Sequence, residues 1–361
     1  MMRLYFTLIL FYSSQIFALG FGDATHPELM PSGRALALGN AFISRVNDNS
    51  APFYNPAGLG SVRRFSFQLS NIFVETNKGL YNAVTGNSFN TFYDKLIDGF
   101  DLNSIREGLA EESDGPVRLN YAVNPNITFQ YFSLGYMANQ QIKAEASGTS
   151  FNYADRLDHG PYISLAIPFF GGIAKLGATA IYLTRKQAVA TTNLNQEFEV
   201  PDEEFTKGTM TNLIVGAKLT LPVVGYPTFS ATVHNAGKAK MKVDKQDSDF
   251  SLIKRSVAVG LSISPKIGRR ADMNIEVNYR DLGKKYGDIE ESRKIAAGIE
   301  FSFARQFFIR AGLSEGFGSF GLGLKNAGFM MDFTTYATDL AESGYKEEED
   351  RRFLLTFSIG G

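Results

Sequence analysis

The sequence predicts an all-β fold: a 14-stranded antiparallel transmembrane β-barrel with an N-terminal plug (hatch) inside the lumen. Three observations predict it. Apolar and polar residues alternate along most of the chain after residue 62, the segments between alternating runs are alternately long and short, and aromatic residues and glycine are abundant. The 361 residues include 31 Phe, 16 Tyr and 35 Gly but no Trp. An aromatic, apolar outer face and a lumen lined by small residues account for both surpluses.

Composition excludes several classes of protein. The absence of Cys excludes disulfide scaffolds, Cys–zinc sites, iron–sulfur clusters and thiol catalysis. The formal net charge is -1, so the chain lacks the excess of basic residues that a general nucleic-acid-binding protein has. With only three His and no distinctive spacing of Ser, His and Asp, we expect no enzymatic activity, no cofactor and no metal site.

The first residues have the features of a targeting segment. Arg3 precedes residues 4–12, which are apolar apart from Thr7 and too short to span a bilayer, and the small residues Ala18 and Gly20 follow. These features predict a signal peptide at residues 1–18, cleaved after Ala18, with a buried N-terminal helix as the alternative. Export and the barrel pattern together predict a multi-pass protein of the outer membrane of a Gram-negative bacterium.

Strict alternation is clearest at residues 273–280 and 294–303, where every second residue is apolar. Successive side chains of a strand point to opposite faces of the sheet, so this period predicts strands with one apolar face. The candidate strands are residues 62–73, 116–123, 127–145, 151–168, 172–190, 208–222, 226–241, 251–265, 270–283, 289–304, 306–315, 317–326, 328–338 and 350–361.

The length of each connection between these strands depends on whether its number along the chain is odd or even. The even-numbered connections are short turns, such as residues 124–126 and 169–171, whereas most odd-numbered ones are longer, such as residues 74–115 and 191–207. Short turns at one rim and long loops at the other are typical of outer-membrane barrels, and a soluble β-sandwich, the alternative, would not sort its loops in this way. In lipid the sheet has to close, because every backbone N–H and C=O needs a partner.

Residues 19–61 precede the first strand and do not alternate. Residues such as Phe42 and Phe53 make them too apolar for a disordered periplasmic tail, the alternative. A barrel of this size has a wide lumen, so we place the segment there as a plug, with a short helix at residues 35–42 capped by Ser32. The predicted domains are the signal peptide at 1–18, the plug at 19–61 and the barrel at 62–361.

The longest connection, residues 74–115, carries apolar residues at helical spacing, among them Phe92, Leu96 and Phe100. A second short helix is predicted around Ile105. We expect an amphipathic helical hairpin at the extracellular rim. It either caps the lumen and collects an apolar ligand, or it is a lid packed only for stability.

Three motifs stand in the predicted plug, at residues 32–35 (SGRA), 39–42 (GNAF) and 53–59 (FYNPAGL). They resemble the FadL-type family of outer-membrane transport proteins, which includes long-chain fatty acid transporters, and the related PorV-like barrels. The resemblance implies a monomeric barrel, a plug held in the lumen and passive uptake of hydrophobic molecules. The residues that match the plug motif are Arg34, Asn40, Asp48, Asn55, Pro56, Ala57 and Gly58.

In this family the mature N-terminus reaches the ligand pocket through a Gly-Phe pair, which corresponds here to Gly20 and Phe21. The ligand-binding residues that the resemblance implies are Phe21 and the loop residues Phe92, Leu96, Phe100 and Arg106. Spacing does not single out the cation that would meet a carboxylate headgroup. The candidates are Arg34, Lys95, Arg106 and Arg118.

The family releases its ligand sideways, through a gap at a kinked strand. Here the alternation in residues 127–145 shifts phase between Tyr131 and Phe132, with Gly135 nearby. A phase shift beside a glycine predicts a β-bulge. This bulge either opens the wall as a lateral kink or is an ordinary bulge without a gap.

We therefore expect a channel for the passive uptake of hydrophobic, long-chain fatty acid-like molecules, gated by the plug and releasing them laterally. The alternative is a PorV-like barrel that does not transport but binds or anchors secreted proteins at the cell surface. The expected partners are outer-membrane lipid and a hydrophobic ligand or detergent, without nucleic acid, and we expect a monomer.

Overall fold

The computed structural model describes residues 21, 25–63, 65–85, 102–111, 115–197, 204–245, 250–285, 289–326, 328–341 and 344–360. The strands of this part form one antiparallel sheet. They are β1 (Ser66–Asn77), β2 (Val117–Val123), β3 (Asn126–Phe129), β4 (Phe132–Ser147), β5 (Ser150–Phe169), β6 (Ala174–Asn193), β7 (Thr206–Thr220), β8 (Thr228–His234), β9 (Lys242–Val243), β10 (Ser256–Ile263), β11 (Ala271–Tyr279), β12 (Ile295–Phe303), β13 (Phe307–Ser314), β14 (Phe317–Lys325), β15 (Phe329–Asp339) and β16 (Glu349–Gly360).

The sheet closes because its first and last strands pair, with Asn71 of β1 opposite Ser358 of β16. β2 and β3 share one position between β1 and β4, and the short β9 pairs with β7 beyond the end of β8. The 16 strands of the described residues therefore fill 14 positions around the barrel. This closure confirms the predicted 14-stranded antiparallel barrel, and most predicted strand boundaries differ from the observed ones by only a few residues.

The predicted bulge at residues 131–135 is wrong, because this stretch turns a hairpin. Phe129 of β3 pairs with Phe132 of β4, and Tyr131 takes a positive φ of 74° in the turn between them. The short turn predicted at residues 124–126 is instead a break within one strand position. Pro125 has no N–H to donate to a ladder, so the pairing with β1 stops at Val123 and resumes at Asn126.

Four short α-helices accompany the sheet in the described part of the chain: α1 (Gly33–Ala37), α2 (Ala51–Tyr54), α3 (Lys78–Thr85) and α4 (Leu102–Glu111). The same part contains 3₁₀-helices at Pro56–Ser61, Phe170–Gly172 and Glu291–Lys294. No helix of the described residues combines the length and the apolarity needed to cross a membrane.

The helix predicted at residues 35–42 is shorter than expected. It ends at Ala37, because Gly39 and Asn40 both have a φ of 62°, which turns the chain out of the helix. The side chain of Ser32 makes no capping hydrogen bond. The helix predicted around Ile105 is present as α4, whereas the signal peptide and Phe92, Lys95, Leu96 and Phe100 lie outside the described residues.

The alternation gives the sheet two chemically different faces. In β14, Phe320 and Leu322 are exposed on one face while Ser319 lies buried on the other. The exposed apolar residues of the outer face include Leu165, Ile167, Leu176, Val215, Leu219, Phe229, Leu261, Val277, Ile309, Phe333 and Leu355. The inner face carries buried charges, among them Glu276, Glu300 and Arg310. A closed sheet with an apolar exterior is a multi-pass outer-membrane barrel, since its backbone is paired and its outer face suits lipid.

Candidate functional site

The N-terminal segment, here residues 21 and 25–62, packs against the inner face of the barrel wall. Phe42 and Phe53 are fully buried, and they belong to one apolar cluster with wall residues such as Ile181 and Leu354. Polar contacts reach strands on several sides of the barrel, for example from Asn139 of β4 and Thr334 of β15 to segment carbonyls. The segment therefore contacts the same face that carries the buried charges.

Small inward-facing residues let the segment approach the wall closely. A Cβ built on Gly312 of β13 would lie 2.1 Å from the carbonyl carbon of Leu38, and one on Gly177 of β6 would lie 2.3 Å from that of Pro56. No side chain fits at either position without displacing backbone. The surplus of glycine thus has a steric cause in the contact between wall and segment.

Arg34 joins the N-terminal segment to the wall within a chain of buried ion pairs. Its Nε and Nη2 donate to the Glu300 carboxylate at 2.8 and 2.7 Å, and its Nη1 donates to Asp48 at 2.9 Å. On the wall, Arg310 donates to Glu300 at 2.8 Å and also pairs with Asp332. The ion-pair chain therefore runs from Asp48 through Arg34, Glu300 and Arg310 to Asp332.

The ion-pair chain keeps Asp48 ionised. Burial by itself raises the pKa of the Asp48 carboxyl, but the charge of Arg34 and the hydrogen bonds from Ser50 outweigh burial and leave that pKa below its ordinary value. For Arg34, burial works against the charged form, and Glu300 and Asp48 together raise its pKa. Both groups are charged across the physiological pH range.

Asn55 joins the segment to itself and to the wall. Its Nδ2 donates to the carbonyl of Ile43 at 2.9 Å and to that of Ala217 in β7 at 3.3 Å, and its Oδ1 accepts from the N–H of Ala57 at 3.1 Å. Pro56 follows as the first residue of a 3₁₀-helix. A Cβ on Gly58 would lie 2.6 Å from Val46, so this part of the motif also depends on a missing side chain.

Asn40, another residue of the plug motif, has a left-handed backbone conformation. Its Nδ2 donates to Glu28 at 3.0 Å, and its carbonyl accepts from Arg280 of the wall. Asn tolerates the left-handed conformation observed here better than most residues. The motif residues are therefore spread along the segment, and most of them bind the segment to itself or to the wall.

Phe21 lies against a group of cations on the inner face. Its ring centroid is 4.1 Å from Cζ of Arg156 and 5.6 Å from Nζ of Lys143, and its side chain is 8% exposed. Lys143 of β4 is the register partner of Arg118 in β2. We call Arg118, Lys143, Arg156, Arg185 and Arg352 the lumenal basic cluster; all five are buried.

Three carboxylates balance part of this charge. Glu75 accepts from Arg118 at 2.8 Å, Asp158 from Arg185 at 2.6 Å, and Asp350 from Arg352 at 2.7 Å. Nη1 of Arg118 is buried without a hydrogen-bond partner. The lumenal basic cluster therefore contains a buried donor, Nη1 of Arg118, that no described residue satisfies.

Of the four candidate cations named from the sequence, Arg118 belongs to this cluster and Arg34 belongs to the ion-pair chain. Lys143 and Arg156 were not among the candidates. The alternation in β4 and β5 places both on the inward face, so this signal could have found them.

α3 and α4 pack on the other face of the sheet. Ile142 lies on the same face of β4 as the exposed Tyr136, yet it is buried in a second apolar cluster with Leu80, Ile105 and Leu109. In the described residues, these helices thus cover the outside of the wall near the rim with long loops. They do not stand over the lumen.

Arg106 of α4 belongs to this outer cluster. It is 6% exposed, and its Nη1 donates to the carbonyl of Leu194 at 2.7 Å. The structure does not bring Arg106 together with Phe21, because the sheet lies between them. Its hydrogen bond fastens the loop helix to the end of β6.

The strand break brings polar groups to the wall. Asn124 accepts a hydrogen bond from the hydroxyl of Tyr162 at 3.1 Å, and Asn126 donates to the Asn124 carbonyl at 2.8 Å. The backbone N–H of Tyr136 in β4 donates to the carbonyl of Pro125 at 3.0 Å. β1 lacks a ladder partner on this side between Gln68 and Ile72.

A small cavity of about 20 Å³ lies between the N-terminal segment and this wall. Asp48, Asn71, Asn124, Asp332 and Thr356 are among its lining residues. The cavity thus adjoins both the ion-pair chain and the strand break.

No protein-family model matches the sequence, and a search of curated proteins finds no match. Solved structures with a similar fold include a Pseudomonas aeruginosa FadL homologue, with a TM-score of 0.47, 10% identity, and coverage of 92% of this chain and 98% of that one. The Pseudomonas putida toluene transporter TodX has a TM-score of 0.40 and 9% identity over 92% and 98% of the two chains. Escherichia coli outer membrane phospholipase A has a TM-score of 0.30 and 11% identity over 80% and 92%. At these values the similarities carry no functional conclusion for this chain.

Replacing Gly312 by Ala should loosen the N-terminal segment. The new Cβ meets the backbone at Leu38, which has to move, at a cost of about 1–3 kcal/mol in folding free energy. We expect the barrel to fold and its ion conductance in planar bilayers to rise. The matched control is Gly318→Ala in β14, whose Cβ meets nothing within 4 Å. Equal conductance of the two variants would contradict a steric contact at Gly312.

Replacing Arg34 by Met should destabilise the protein strongly. The change leaves Asp48 without its cation and Glu300 with Arg310 alone, and breaking a buried ion pair on one side costs about 3–5 kcal/mol. The measurement is the temperature at which the folded, fast-migrating band is lost on electrophoresis. Arg305→Met, at an exposed arginine, serves as the control and should leave that temperature unchanged.

Proposed function

We propose that this protein is an outer-membrane channel for the passive uptake of hydrophobic small molecules that carry an anionic group, such as long-chain fatty acids. The observation that carries the proposal is the contact between Phe21 and the lumenal basic cluster. An apolar ring seated on cations provides both halves of the chemistry that an amphiphile requires. The ligand displaces the Phe21 ring and places its anionic group on the cluster.

A buried donor in the cluster supports an anionic headgroup. Among the described residues, Nη1 of Arg118 has no acceptor. In a lumen of low dielectric, hydrogen bonds between ionised groups are stronger than those between neutral groups. A ligand carboxylate supplies a charged acceptor for this donor.

We propose that the N-terminal segment is the plug that gates this path. Its ion pairs hold it to β12, β13 and β15 through Glu300, Arg310 and Asp332. The strand break at Asn124 and Pro125 lies elsewhere on the circumference, beside the cavity. Lateral release uses this break, because the wall there has fewer ladder hydrogen bonds to separate.

We propose that the protein transports its ligand and does not act as an enzyme. Two histidines, His159 and His234, stand near Ser or Asp in the sequence. Nε2 of His234 is hydrogen-bonded to the carbonyl of Phe53 at 2.9 Å. His159 is hydrogen-bonded to the hydroxyl of Tyr136 on the outer face. Each histidine therefore makes a structural contact, and neither faces a nucleophile through these bonds.

Replacing Arg156 by Gln should weaken binding of an anionic amphiphile about tenfold to a hundredfold, because a hydrogen bond to a charged group contributes about 1.5–3 kcal/mol. The measurement is titration calorimetry of the purified barrel with oleate. Lys186→Gln is the matched control, since Lys186 lies on the outer face of β6 beside the inward Gln187, the register partner of Arg156.

Oleyl alcohol separates charge recognition from simple apolar binding. We expect the wild-type protein to bind oleate more tightly than the alcohol, and Arg156→Gln to remove the difference. Equal affinity of the wild type for both would contradict an anionic headgroup site. Absence of any saturable binding, with a secreted protein co-purifying, would favour the PorV-like alternative.

A disulfide across the strand break should block release without blocking binding. Asn71 and Asn124 continue the β1–β2 register past its last pair, and the chain has no native Cys. With Asn71→Cys and Asn124→Cys, we expect fatty acid uptake by whole cells to fall under oxidising conditions and to recover on reduction. The control pair, Thr76→Cys with Leu119→Cys, lies in the intact ladder and should not affect uptake.

A further inference from the structure

The ion-pair chain begins and ends at the same cavity. Asp48, its first member, belongs to the N-terminal segment, and Asp332, its last, belongs to β15; both line the cavity beside the segment. The chain contains two arginines, Arg34 and Arg310, against three carboxylates. The ion-pair chain therefore has one negative charge in excess, and both of its terminal aspartates face the cavity.

The charged residues that line the cavity in the described part of the chain are these two aspartates, without Lys or Arg. The rest of the polar lining is neutral and rich in oxygen: Ser32, Ser50, Asn49, Asn71, Asn124 and Ser358. Arg45, a further cation near the ion-pair chain, interacts most strongly with Glu276 and does not line the cavity. The cavity thus presents oxygen atoms and negative charge.

Thr356 provides an independent sign of a ligand. It lies opposite Asp332 in the β15–β16 register, its side chain is 7% exposed, and its Oγ1 has no hydrogen-bond partner. A Cβ built on Gly33 of the segment would be 2.5 Å from this oxygen, so the segment, β15 and β16 converge there. A buried hydroxyl without a partner costs about 1–3 kcal/mol, which a bound species recovers.

The carboxylates keep unused acceptor capacity. Asp332 accepts from Arg310 through Oδ1, and the hydrogen bonds of the described residues leave its Oδ2 available to a ligand. Asp48 uses Oδ2 for Arg34 and Oδ1 for Ser50, and each carboxylate oxygen has a second lone pair. An excess charge without a cation is costly in such a buried place.

We propose that this cavity binds one monovalent alkali cation, held by Asp48, Asp332 and the hydroxyl of Thr356. One such ion neutralises the single excess charge. The described residues contain no group of three His, Asp or Glu side chains placed to hold a metal ion, as calcium or a transition metal would favour. The bound cation links the segment to β15 and so holds the segment against the wall next to the strand break.

The test compares full-length protein in detergent in sodium chloride and in N-methyl-D-glucamine chloride at equal ionic strength. The measurement is the midpoint temperature at which the folded band is lost on electrophoresis. We expect the wild-type midpoint to be about 2–4 °C higher with sodium, because the ion binds the folded state alone. Equal midpoints in the two salts would overturn the proposal.

Two variants locate the site. Asp332→Asn removes the excess charge and should abolish the sodium-dependent shift, whereas Asp272→Asn, at a half-exposed carboxylate of β11, should keep it. Thr356→Val removes only the hydroxyl and should raise the sodium concentration needed for half of the shift. It also serves if Asp332→Asn does not fold. A full shift in Asp332→Asn, or an unchanged half-point in Thr356→Val, would overturn the assignment.

Two further outcomes are distinguishable. A midpoint that depends on pH but not on sodium would mean that a proton on a carboxylate neutralises the excess charge. A shift caused by calcium chloride but not by sodium chloride would mean a divalent ion. Either result overturns the monovalent cation, and neither depends on whether the protein transports fatty acids.

Discussion

Backbone pairing in the absence of water is the constraint on which the structure depends. A strand in hydrocarbon has no solvent to satisfy its N–H and C=O groups, so β16 returns to β1 and the sheet closes. The break at Pro125 is where this constraint is relaxed, and polar groups of neighbouring residues act in place of the ladder. Asn126 donates to the Asn124 carbonyl, and Tyr136 donates to the Pro125 carbonyl.

Closure at 14 positions creates a lumen that has to be filled or hydrated. The N-terminal segment packs apolar residues such as Phe42 and Phe53 against the inner face of the wall, which has glycines where the two backbones meet. Filling a lumen with charges on its wall also requires charges on the segment. Arg34 meets this need, because it neutralises Glu300 and Asp48 at once.

Period-two alternation predicted the number of strand positions, because each strand's pattern is local and one face has to suit lipid. It failed between residues 124 and 131, where local chemistry and pairing disagree. Asn124-Pro125 has the composition of a turn, yet β3 resumes beside β1, and the actual turn at Tyr131 lacks Gly or Pro beside it. The pairing of β3 with β1, which are distant in sequence, determines where the chain turns, and the local pattern of residues does not contain this information.

The site was predictable only in part, for a similar reason. Motif resemblance identified Arg34, Asn55 and Gly58, which do hold the segment. The partner of Arg34, Glu300, is 266 positions away in sequence, and no spacing rule connects them. Alternation also cannot tell lipid from protein as the neighbour of an outward residue, so Ile142, buried by the loop helices, has the same pattern as the exposed Tyr136.

The cavity connects the two proposals physically. Its lining includes Asn124 at the strand break and Asp332 at the end of the ion-pair chain, so a change in charge there acts beside the strand break. When a bound cation neutralises the excess charge, no electrostatic repulsion pushes the segment away from β15. Without the cation, Asp48 and Asp332 repel each other across the cavity, and the contact between the segment and the strand break loosens. On these two proposals, occupancy of the cavity sets how firmly the segment supports the wall at the strand break.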